Sequence, residues 1–296
     1  MTRILLFGRW LNPVFVERKA LPLSVKVKEI IEKRRQKFLN DKTVDGVIIT
    51  PVLRNVHKNS TPGKLNRIAS IPEIKGEELL IPVETNGTNY LQHMYASRAK
   101  ELEWIEKEVK EEKTENFFNH LFEKLPITLD SRIITITSDN KLVTGMRSEN
   151  VIAEALKHDS PSGYVWPGEK PVQAAIRKLE GEAGIKKDEI VFLEEELKKA
   201  VDQENPKIMV LHSRSNHGAV HNIFIARTSV SSSILKERQE NLKDKKYVKN
   251  LRFTDCSEKG IDYLINKESN TIYPELYELF KKELNKSLGF NDNGGV

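Results

Sequence analysis

The residues best placed to do chemistry cluster between Gly163 and Ile185, in the stretch GYVWPGEKPVQAAIRKLEGEAGI. Most of its charged residues fall on a short amphipathic helix predicted from about Lys170 to Ala183, and carboxylates can hold a hard cation such as magnesium through oxygen. Lys178 precedes Glu182 by one turn and lies about 40° from it around the helix. The two side chains are therefore expected to form an ion pair.

This helix needs a sheet to pack against, and the flanking sequence predicts one. The apolar stripe of the helix comprises Val172, Ala175, Ile176, Leu179 and Ala183. A hairpin signal precedes the stretch, with strands predicted at 133–136 and 142–147 around a polar turn. Later strands are predicted at 190–193, 208–212, 222–226 and 248–254, and a last helix at about 274–288. The pattern indicates a layered α/β (α+β) domain.

The first part of the chain has a mixed pattern of its own. Strands are predicted at 3–9 and 44–53, with a basic amphipathic helix between them. A charged helical run follows Tyr90 and ends at Pro126, because the residue before a proline is disfavoured in a helix. We therefore predict a smaller N-terminal α/β domain over 1–126, a second domain over 127–290 and a disordered tail over 291–296.

Composition limits the class of protein. Of the 296 residues, 38% are hydrophobic and 31% are charged, which is typical of a soluble globular protein. The sequence has no apolar run of about 18 residues, so it predicts no membrane-spanning helix. The apolar run at the start is too short for a secretory signal, and a single cysteine, Cys256, fits a reducing compartment. We expect a cytoplasmic protein in which Cys256 is a half-buried strand residue.

The net charge of +5 is modest, but basic residues concentrate between Arg18 and Lys37. The same stretch carries Val27, Ile31 and Phe38 at helical spacing, so the basic residues are interpreted as the solvated face of a helix. A basic scaffold that binds polyanions is an alternative. Nucleic acid is not an expected partner, because no aromatic interleaving accompanies the charge.

The stretch from Gly163 to Ile185 resembles the Nudix box. That pattern is a glycine, five residues, a glutamate, seven residues, then Arg-Glu-(apolar)-any-Glu-Glu-any-Gly-(apolar). Seven of its nine specified positions are matched, by Gly163, Glu169, Arg177, Leu179, Glu182, Gly184 and Ile185. The resemblance implies a Nudix-type α/β/α sandwich with a mixed sheet, in a subgroup that has an extra α/β domain before the box.

The resemblance also implies roles for individual residues. Gly163, Glu169, Arg177 and Gly184 would be structural residues of the box, with Glu169 and Arg177 forming an ion pair between loop and helix. The metal-binding glutamates of the family map to positions 178, 181 and 182. Only Glu182 is present, as the catalytic and metal-ligating candidate, because Lys178 and Gly181 replace the other two.

These two substitutions bear on activity. Lys178 is expected to pair with Glu182, and Glu180 lies about 160° round the helix from Glu182, so it cannot complete the cluster. Gly181 costs a helix about 1 kcal/mol against alanine, which suggests relaxed demands on the site. We expect a Nudix-like protein that binds a nucleoside-diphosphate-linked ligand, with metal-dependent hydrolysis lost or weakened.

The alternative is an active, magnesium-dependent Nudix hydrolase with a rebuilt metal site. Glu182 would then act with carboxylates that follow the box, Glu195 foremost. The candidates are Glu194, Glu195, Glu196, Asp202 and Glu204. His212, His217 and His221 are weaker candidates for a catalytic base, because none shows metal-ligand spacing. The expected partner is a small-molecule nucleotide or diphosphate, and a homodimer is one assembly that the sequence allows.

Overall fold

The computed structural model describes residues 3–7, 13–44, 47–59, 63–76, 78–97, 104, 113–149, 151, 156–192, 208–213, 216–245, 247–266, 271 and 273–288. Helices and strands alternate along the chain, so the predicted mixed α/β class is confirmed. The strands are β1 (Arg3–Phe7), β2 (Val14–Glu17), β3 (Thr43–Val44), β4 (Val47–Ile48), β5 (Lys64–Ile68), β6 (Glu73–Lys75), β7 (Glu78–Asn89), β8 (Leu129–Ile136), β9 (Lys141–Arg147), β10 (His158–Asp159), β11 (Ser162–Tyr164), β12 (Ile190–Phe192), β13 (Ile208–Ser213), β14 (Asn216–Thr228) and β15 (Val248–Asp255). The helices are α1 (Val25–Asn40), α2 (Pro51–Asn59), α3 (Tyr90–Ser97), α4 (Thr114–Lys124), α5 (Pro171–Ala183), α6 (Ser232–Arg238), α7 (Glu258–Ile265) and α8 (Pro274–Leu288).

The chain divides into two compact units, each built from several stretches of sequence. Unit 1 comprises Met1–Ser131, Gly163–Ala174 and Pro206–Ile223. Unit 2 comprises Arg132–Ser162, Ala175–Asn205 and Phe224–Val296. The division of the chain into contiguous domains 1–126 and 127–290 stays a prediction, and the tail 291–296 lies outside the described residues.

Helix α1 of unit 1 is the predicted basic amphipathic helix. It begins after Ser24, whose hydroxyl accepts a hydrogen bond from the Val27 amide at 3.3 Å. Val27 and Phe38 are buried on its inner face, as the apolar spacing predicts. Arg34, from the middle of the basic run, is buried as well, with 2% of its surface exposed. The solvated face is therefore smaller than the sequence suggested.

A mixed sheet of four strands lies in unit 1. The long strand β7 is its centre, with β2 parallel on one side and β5 and β6 antiparallel on the other. Elsewhere in the unit, β13 pairs antiparallel with β1 and with β14. The single strand predicted over 44–53 is wrong. A short hairpin of β3 and β4 is followed by α2, which begins at Pro51, since proline is favoured at the first helical position.

A buried arginine fixes the end of α4 within unit 1. The guanidinium of Arg67 donates hydrogen bonds to four backbone carbonyls, those of Leu21, Phe122, Glu123 and Leu125. Three of these carbonyls belong to the last turn and end of α4, where a helix leaves its carbonyls without helical partners. Arg67 is 3% exposed, so these contacts satisfy both the helix end and the buried guanidinium.

Strand β9 organises unit 2. It pairs antiparallel with β15 along its whole length, from Lys141 opposite Asp255 to Arg147 opposite Val248. The predicted hairpin is confirmed, with Ile136 of β8 opposite Leu142. At its other end β9 pairs with the short strand β10, which sets Asp159 opposite Gly145. Arg147 and Asp159 are thus brought together at the end of β9.

The remaining sequence expectations concern the cysteine and membrane spans. Cys256 is buried and not half-buried as predicted, and it lies directly after β15 instead of within a strand. Burial raises the pKa of its thiol. Among the described residues, no helix combines the length and apolarity needed to cross a bilayer.

Candidate functional site

The stretch singled out from the sequence forms the helix α5, called here the box helix. It begins at Pro171 and ends at Ala183, within a residue of the predicted bounds. Ala175, Leu179 and Ala183 are completely buried, as predicted, whereas Val172 and Ile176 are only half-buried. This packing leaves positions 178 and 182 together on one side of the helix, one turn apart.

The predicted ion pair between Lys178 and Glu182 is present. The Lys178 Nζ atom donates to Glu182 Oε1 at 2.9 Å and also to Asp244 Oδ2 at 3.1 Å. The side chains are mostly buried, with exposed fractions of 16% for Lys178, 14% for Glu182 and 26% for Asp244. One ammonium group therefore lies between two carboxylates, where it can neutralise both in part.

Gly181 makes room for Asp244. A Cβ atom built on Gly181 would lie 2.6 Å from Asp244 Oδ2, which is closer than side-chain atoms approach. The Asp244 amide also donates to the Gly181 carbonyl at 3.0 Å. The glycine is therefore the residue that lets the segment around Asp244 contact the helix, a more specific role than relaxed demands on the site.

Burial and neighbouring charges shift the pKa values of Lys178 and Glu182 in opposite directions. Burial alone would lower the pKa of Lys178, but Glu182 and Asp244 together raise it above its ordinary value. Burial raises the pKa of Glu182, and Lys178, the Ser162 amide and Arg147 only partly offset that effect. Lys178 is thus held in its charged form, and a negative charge on Glu182 depends on the lysine beside it.

A recess opens next to this cluster within unit 2. Its cavity volume is about 20 Å³, room for about one water molecule. Its lining residues are Gly145, Arg147, Asp159, Pro161, Ser162, Glu182, Tyr247 and Val248. Glu182 is thus shared between the ion-pair cluster and the recess.

Hydrogen bonds join Glu182 to the other carboxylate of the recess. The Ser162 amide donates to Glu182 Oε2 at 3.2 Å, and its hydroxyl donates to Asp159 Oδ2 at 3.3 Å. Asp159 forms an ion pair with Arg132, and Arg147 Nη1 lies 3.8 Å from Asp159 Oδ2. Both lining carboxylates therefore already have cationic partners.

The end of the box helix is fixed by a glycine and an arginine. Gly184 has a φ of +68°, the left-handed conformation that commonly ends a helix. Arg238 donates to the Gly184 carbonyl at 3.0 Å and forms a two-point ion pair with Glu189, at 2.8 Å for each contact. Hydrogen bonds from Arg238 lower the pKa of Glu189 to about 2. Gly184 thus ends the box helix, and its role as a structural residue of the Nudix box stays a prediction.

Replacing Arg238 by alanine is expected to destabilise the fold by about 1–2 kcal/mol, because a helix carbonyl and a carboxylate lose their partner. A carboxylate whose folded pKa is depressed stabilises the fold above its unfolded pKa, and this contribution is lost as the pH falls through the folded pKa. The gap between wild type and Arg238→Ala in urea unfolding should therefore shrink between about pH 4.5 and about pH 2. A gap that is constant over this range would contradict the assignment.

The other predicted site residues do not join this cluster. Gly163 lies in β11, and Glu169 Oε2 accepts a hydrogen bond from the Trp166 amide at 3.0 Å. The ion pair between Glu169 and Arg177 stays a prediction. Glu180 accepts a bond from the Lys187 amide at 3.4 Å, away from Glu182, as its position on the helix predicts.

Of the carboxylates and histidines proposed from the sequence after the box, the structure describes the side chain of His221. Glu194, Glu195, Glu196, Asp202 and Glu204 lie outside the described residues, and the side chains of His212 and His217 do as well. His221 is buried in unit 1, where its Nδ1 atom lies 3.0 Å from Asp130 Oδ2. Within the described part of the chain, no group of three or more His, Cys, Asp or Glu side chains could hold a metal ion.

Comparison with known proteins identifies the fold that carries this site. Residues 128–245 match the family model described as NUDIX domain. The chain carries a Nudix domain. The box helix, Glu182 and Asp244 all lie within the matched residues. No curated protein matches the chain.

Solved structures also resemble the Nudix domain. A C. elegans Ap4A hydrolase in a binary complex is 16% identical, with a TM-score of 0.37, and the match covers 55% of this chain and 99% of that one. A MutT protein from Methanosarcina mazei Go1 is 15% identical, with a TM-score of 0.36, covering 53% and 95%. A pyrophosphohydrolase from Bacillus subtilis is 16% identical, with a TM-score of 0.33, covering 53% and 80%.

Proposed function

We propose that the Nudix domain of this chain binds a nucleoside-diphosphate-linked small molecule, and that magnesium-dependent hydrolysis is lost or strongly weakened. The observation that carries the proposal is the Lys178 ammonium between Glu182 and Asp244, at 2.9 and 3.1 Å. Nudix hydrolases commonly use a divalent cation at the box. In this domain a side chain already supplies positive charge to the remaining box glutamate.

The described residues do not fit a magnesium ion. Magnesium prefers an octahedral set of oxygen ligands at about 2.0–2.1 Å, and a lysine ammonium offers donors only. For a cation to bind Glu182 Oε1, the Lys178 side chain would have to leave two carboxylates in a mostly buried place. Such a displacement opposes metal binding, because it exchanges a satisfied ion pair for a buried ammonium that must find new partners.

The location and assembly of the protein complete the proposal. We propose a cytoplasmic protein, on the evidence of its composition and its single, buried cysteine. The ligand would bind over the mouth of the recess, which Glu182 lines. The N-terminal α/β region would then have a separate role, and a homodimer is compatible with this reading.

A thermal-shift screen of nucleotides and nucleotide sugars, each with magnesium and with EDTA, tests the proposed function. The expected result is stabilisation by at least one nucleoside diphosphate derivative to the same extent in both buffers, since ligand binding raises the stability of the folded state. Product analysis of each hit by chromatography should show no cleavage of the diphosphate. A matched screen of Glu182→Gln should retain the binding.

The active hydrolase with a rebuilt metal site is the contrary outcome of this experiment. It would appear as magnesium-dependent cleavage that Glu182→Gln abolishes. Glu195→Gln would then show whether that carboxylate is the additional ligand. Cleavage that is unchanged in both Glu182→Gln and Lys178→Glu would place the active site elsewhere.

A further inference from the structure

A basic segment leads into helix α1 of unit 1. Residues 18–28, called here the entry segment, have the sequence RKALPLSVKVK, with four cations and no acidic residue. The cations are Arg18, Lys19, Lys26 and Lys28, and all four are exposed. The whole chain of 296 residues has a net charge of +5. This short segment therefore carries a local positive charge almost as large as that of the entire chain.

Ion pairs do not neutralise the cations of the entry segment. Within the described part of the chain, no carboxylate forms an ion pair with any of the four. Arg18 donates to the Glu17 carbonyl at 3.4 Å, and Lys26 Nζ lies 3.8 Å from the centre of the Trp104 ring. The Glu17 carboxylate accepts from the Thr85 amide at 3.0 Å instead of pairing with Arg18. The charges of the segment thus face solvent.

Two aliphatic side chains are exposed in the same segment. Leu21 is 57% exposed, and Val25, the first residue of α1, is 71% exposed. Val25 lies about 160° around the helix from Val27, which is completely buried. The backbone here is fixed, because the Leu21 carbonyl accepts from Arg67 Nη1 at 2.6 Å and Ser24 caps the helix. The segment therefore presents two apolar groups among its cations on a well-defined backbone.

Stability of the fold does not account for this choice of residues. Acidic side chains are favoured in the first turn of a helix, because they interact with the positive end of the helix dipole. The first turn of α1 has none, and two lysines lie within four residues of its start. Exposed aliphatic side chains gain nothing from folding, since they stay in water. A partner that is both negatively charged and apolar beneath its surface would contact both kinds of side chain.

An anionic lipid bilayer has both properties. Its headgroups attract lysine and arginine, and the boundary of the acyl layer beneath them accepts aliphatic side chains. Trp104, which contacts Lys26, is of the residue type enriched at this interface. Nucleic acid fits the segment less well, because its phosphates would bind the cations but leave Leu21 and Val25 in water.

We infer that the entry segment binds the surface of an anionic lipid bilayer, with Leu21 and Val25 in the headgroup layer and the four cations at the lipid phosphates and carboxylates. The binding is peripheral and reversible, because two aliphatic side chains bury too little apolar surface for permanent anchoring. The cytoplasmic leaflet of membranes carries anionic lipids, so the surface agrees with the proposed location. The inference is independent of the proposed ligand site and gives the N-terminal region a role of its own.

Co-sedimentation of the full chain with large unilamellar vesicles tests this inference. Vesicles of phosphatidylcholine are compared with vesicles that contain about 30% phosphatidylserine. At about 0.1 M salt, the wild-type protein should bind the anionic vesicles at least about tenfold more tightly than the neutral ones. Binding should weaken at about 0.5 M salt, because ions screen exposed charges. Equal binding to both kinds of vesicle, or binding to neither, would overturn the inference.

Charge reversal identifies the segment. Lys26→Glu/Lys28→Glu should weaken binding to the anionic vesicles by at least about 25-fold, at about fivefold for each cation near the surface. Lys186→Glu/Lys243→Glu is the matched control, since it changes the net charge equally at two exposed lysines of unit 2. The control should lose less than about threefold. An equal loss in both double variants would mean that the net charge of the protein, and not the entry segment, attracts the vesicles.

The aliphatic residues distinguish a bilayer from a soluble polyanion. Leu21→Ser/Val25→Ser should weaken vesicle binding by about tenfold, because serine gains little from entering the headgroup layer. Ile48→Ser/Ile74→Ser is the control and should bind as wild type does, since it removes two other exposed aliphatic side chains of unit 1. Full vesicle binding by Leu21→Ser/Val25→Ser would indicate a soluble polyanion such as nucleic acid and would overturn the bilayer as the partner. If a variant does not fold, the wild-type comparison of lipids and salt still decides.

Discussion

Replacing Lys178 by methionine is expected to destabilise the protein by about 3 kcal/mol at pH 7, the lower end of the range for breaking a buried ion pair. Methionine keeps most of the length of the lysine side chain but leaves Glu182 and Asp244 facing each other without a cation. The lower end applies because Asp244 is 26% exposed and can be hydrated in part. Thermal unfolding followed by circular dichroism should show a midpoint lowered by roughly 6–12 °C.

The stability lost in Lys178→Met should increase as the pH rises. Burial raises the pKa of Glu182, and without the lysine this effect is no longer offset. A carboxyl with a raised folded pKa stabilises the fold fully below its unfolded value of 4.5, and this contribution is lost as the pH rises through the folded pKa. The gap between Lys178→Met and wild type should therefore be small near pH 4 and widen toward pH 8.

A matched control isolates the buried ion pair from the general loss of a lysine. Lys243 is exposed and lies next to Asp244 in sequence, so Lys243→Met removes the same charge from the surface. It should change the free energy of unfolding by no more than about 0.5 kcal/mol. If Lys178→Met is as stable as Lys243→Met at pH 7, the ammonium does not hold the two carboxylates together.

The second large effect is expected at Gly181, where the usual sign of a substitution should be reversed. In an unconstrained helix, alanine in place of glycine stabilises by about 1 kcal/mol. Here the new Cβ atom would lie 2.6 Å from Asp244 Oδ2, so Asp244 must move and weaken its bond to Lys178. We expect Gly181→Ala to destabilise by about 1–3 kcal/mol, the typical range for overpacking.

A double-mutant cycle tests the cause of this effect. In the Asp244→Gly background the obstructing side chain is gone, so Gly181→Ala should become neutral or stabilising. The two substitutions should thus show a coupling of about 2 kcal/mol, measured from guanidinium chloride unfolding of the four proteins. Additive effects would mean that the cost arises from another contact of Gly181.

The parts of the site that the sequence predicted depend on local spacing. The box helix follows from its apolar stripe, and the pair of Lys178 and Glu182 follows from their separation of one turn. Both relations are local, so tertiary structure did not have to be known. The family pattern added the structural residues of the box, and of these Gly184 has a left-handed conformation in the structure.

Asp244 could not be predicted in the same way, because it is 66 residues from Lys178 and no periodic pattern connects them. The available signal was Gly181, since a glycine inside a helix can mark the close approach of another segment. From the sequence, Arg147 is predicted to end the second hairpin strand, 142–147. Its place at the recess depends on the register in which it lies opposite Val248, and register is set by tertiary pairing.

Outside the site, too, strong local patterns were predicted correctly and ambiguous ones were not. The predicted strands and helices of the second half have counterparts in the structure, because their apolar periodicity is strong. The segment 44–53 was misread because it is apolar and short, a pattern that strands and helix beginnings share. The predicted strand runs through Pro51, but this residue is the first of α2.

The close fit between Gly181 and Asp244 has an evolutionary consequence. Glutamate at position 181 would collide with Asp244, and glutamate at position 178 would place a third acidic group there and remove the lysine that pairs with the other two. Each single change toward the family pattern therefore passes through a less stable protein. Positions 178, 181 and 244 are therefore expected to change together, or not at all, in proteins descended from this sequence.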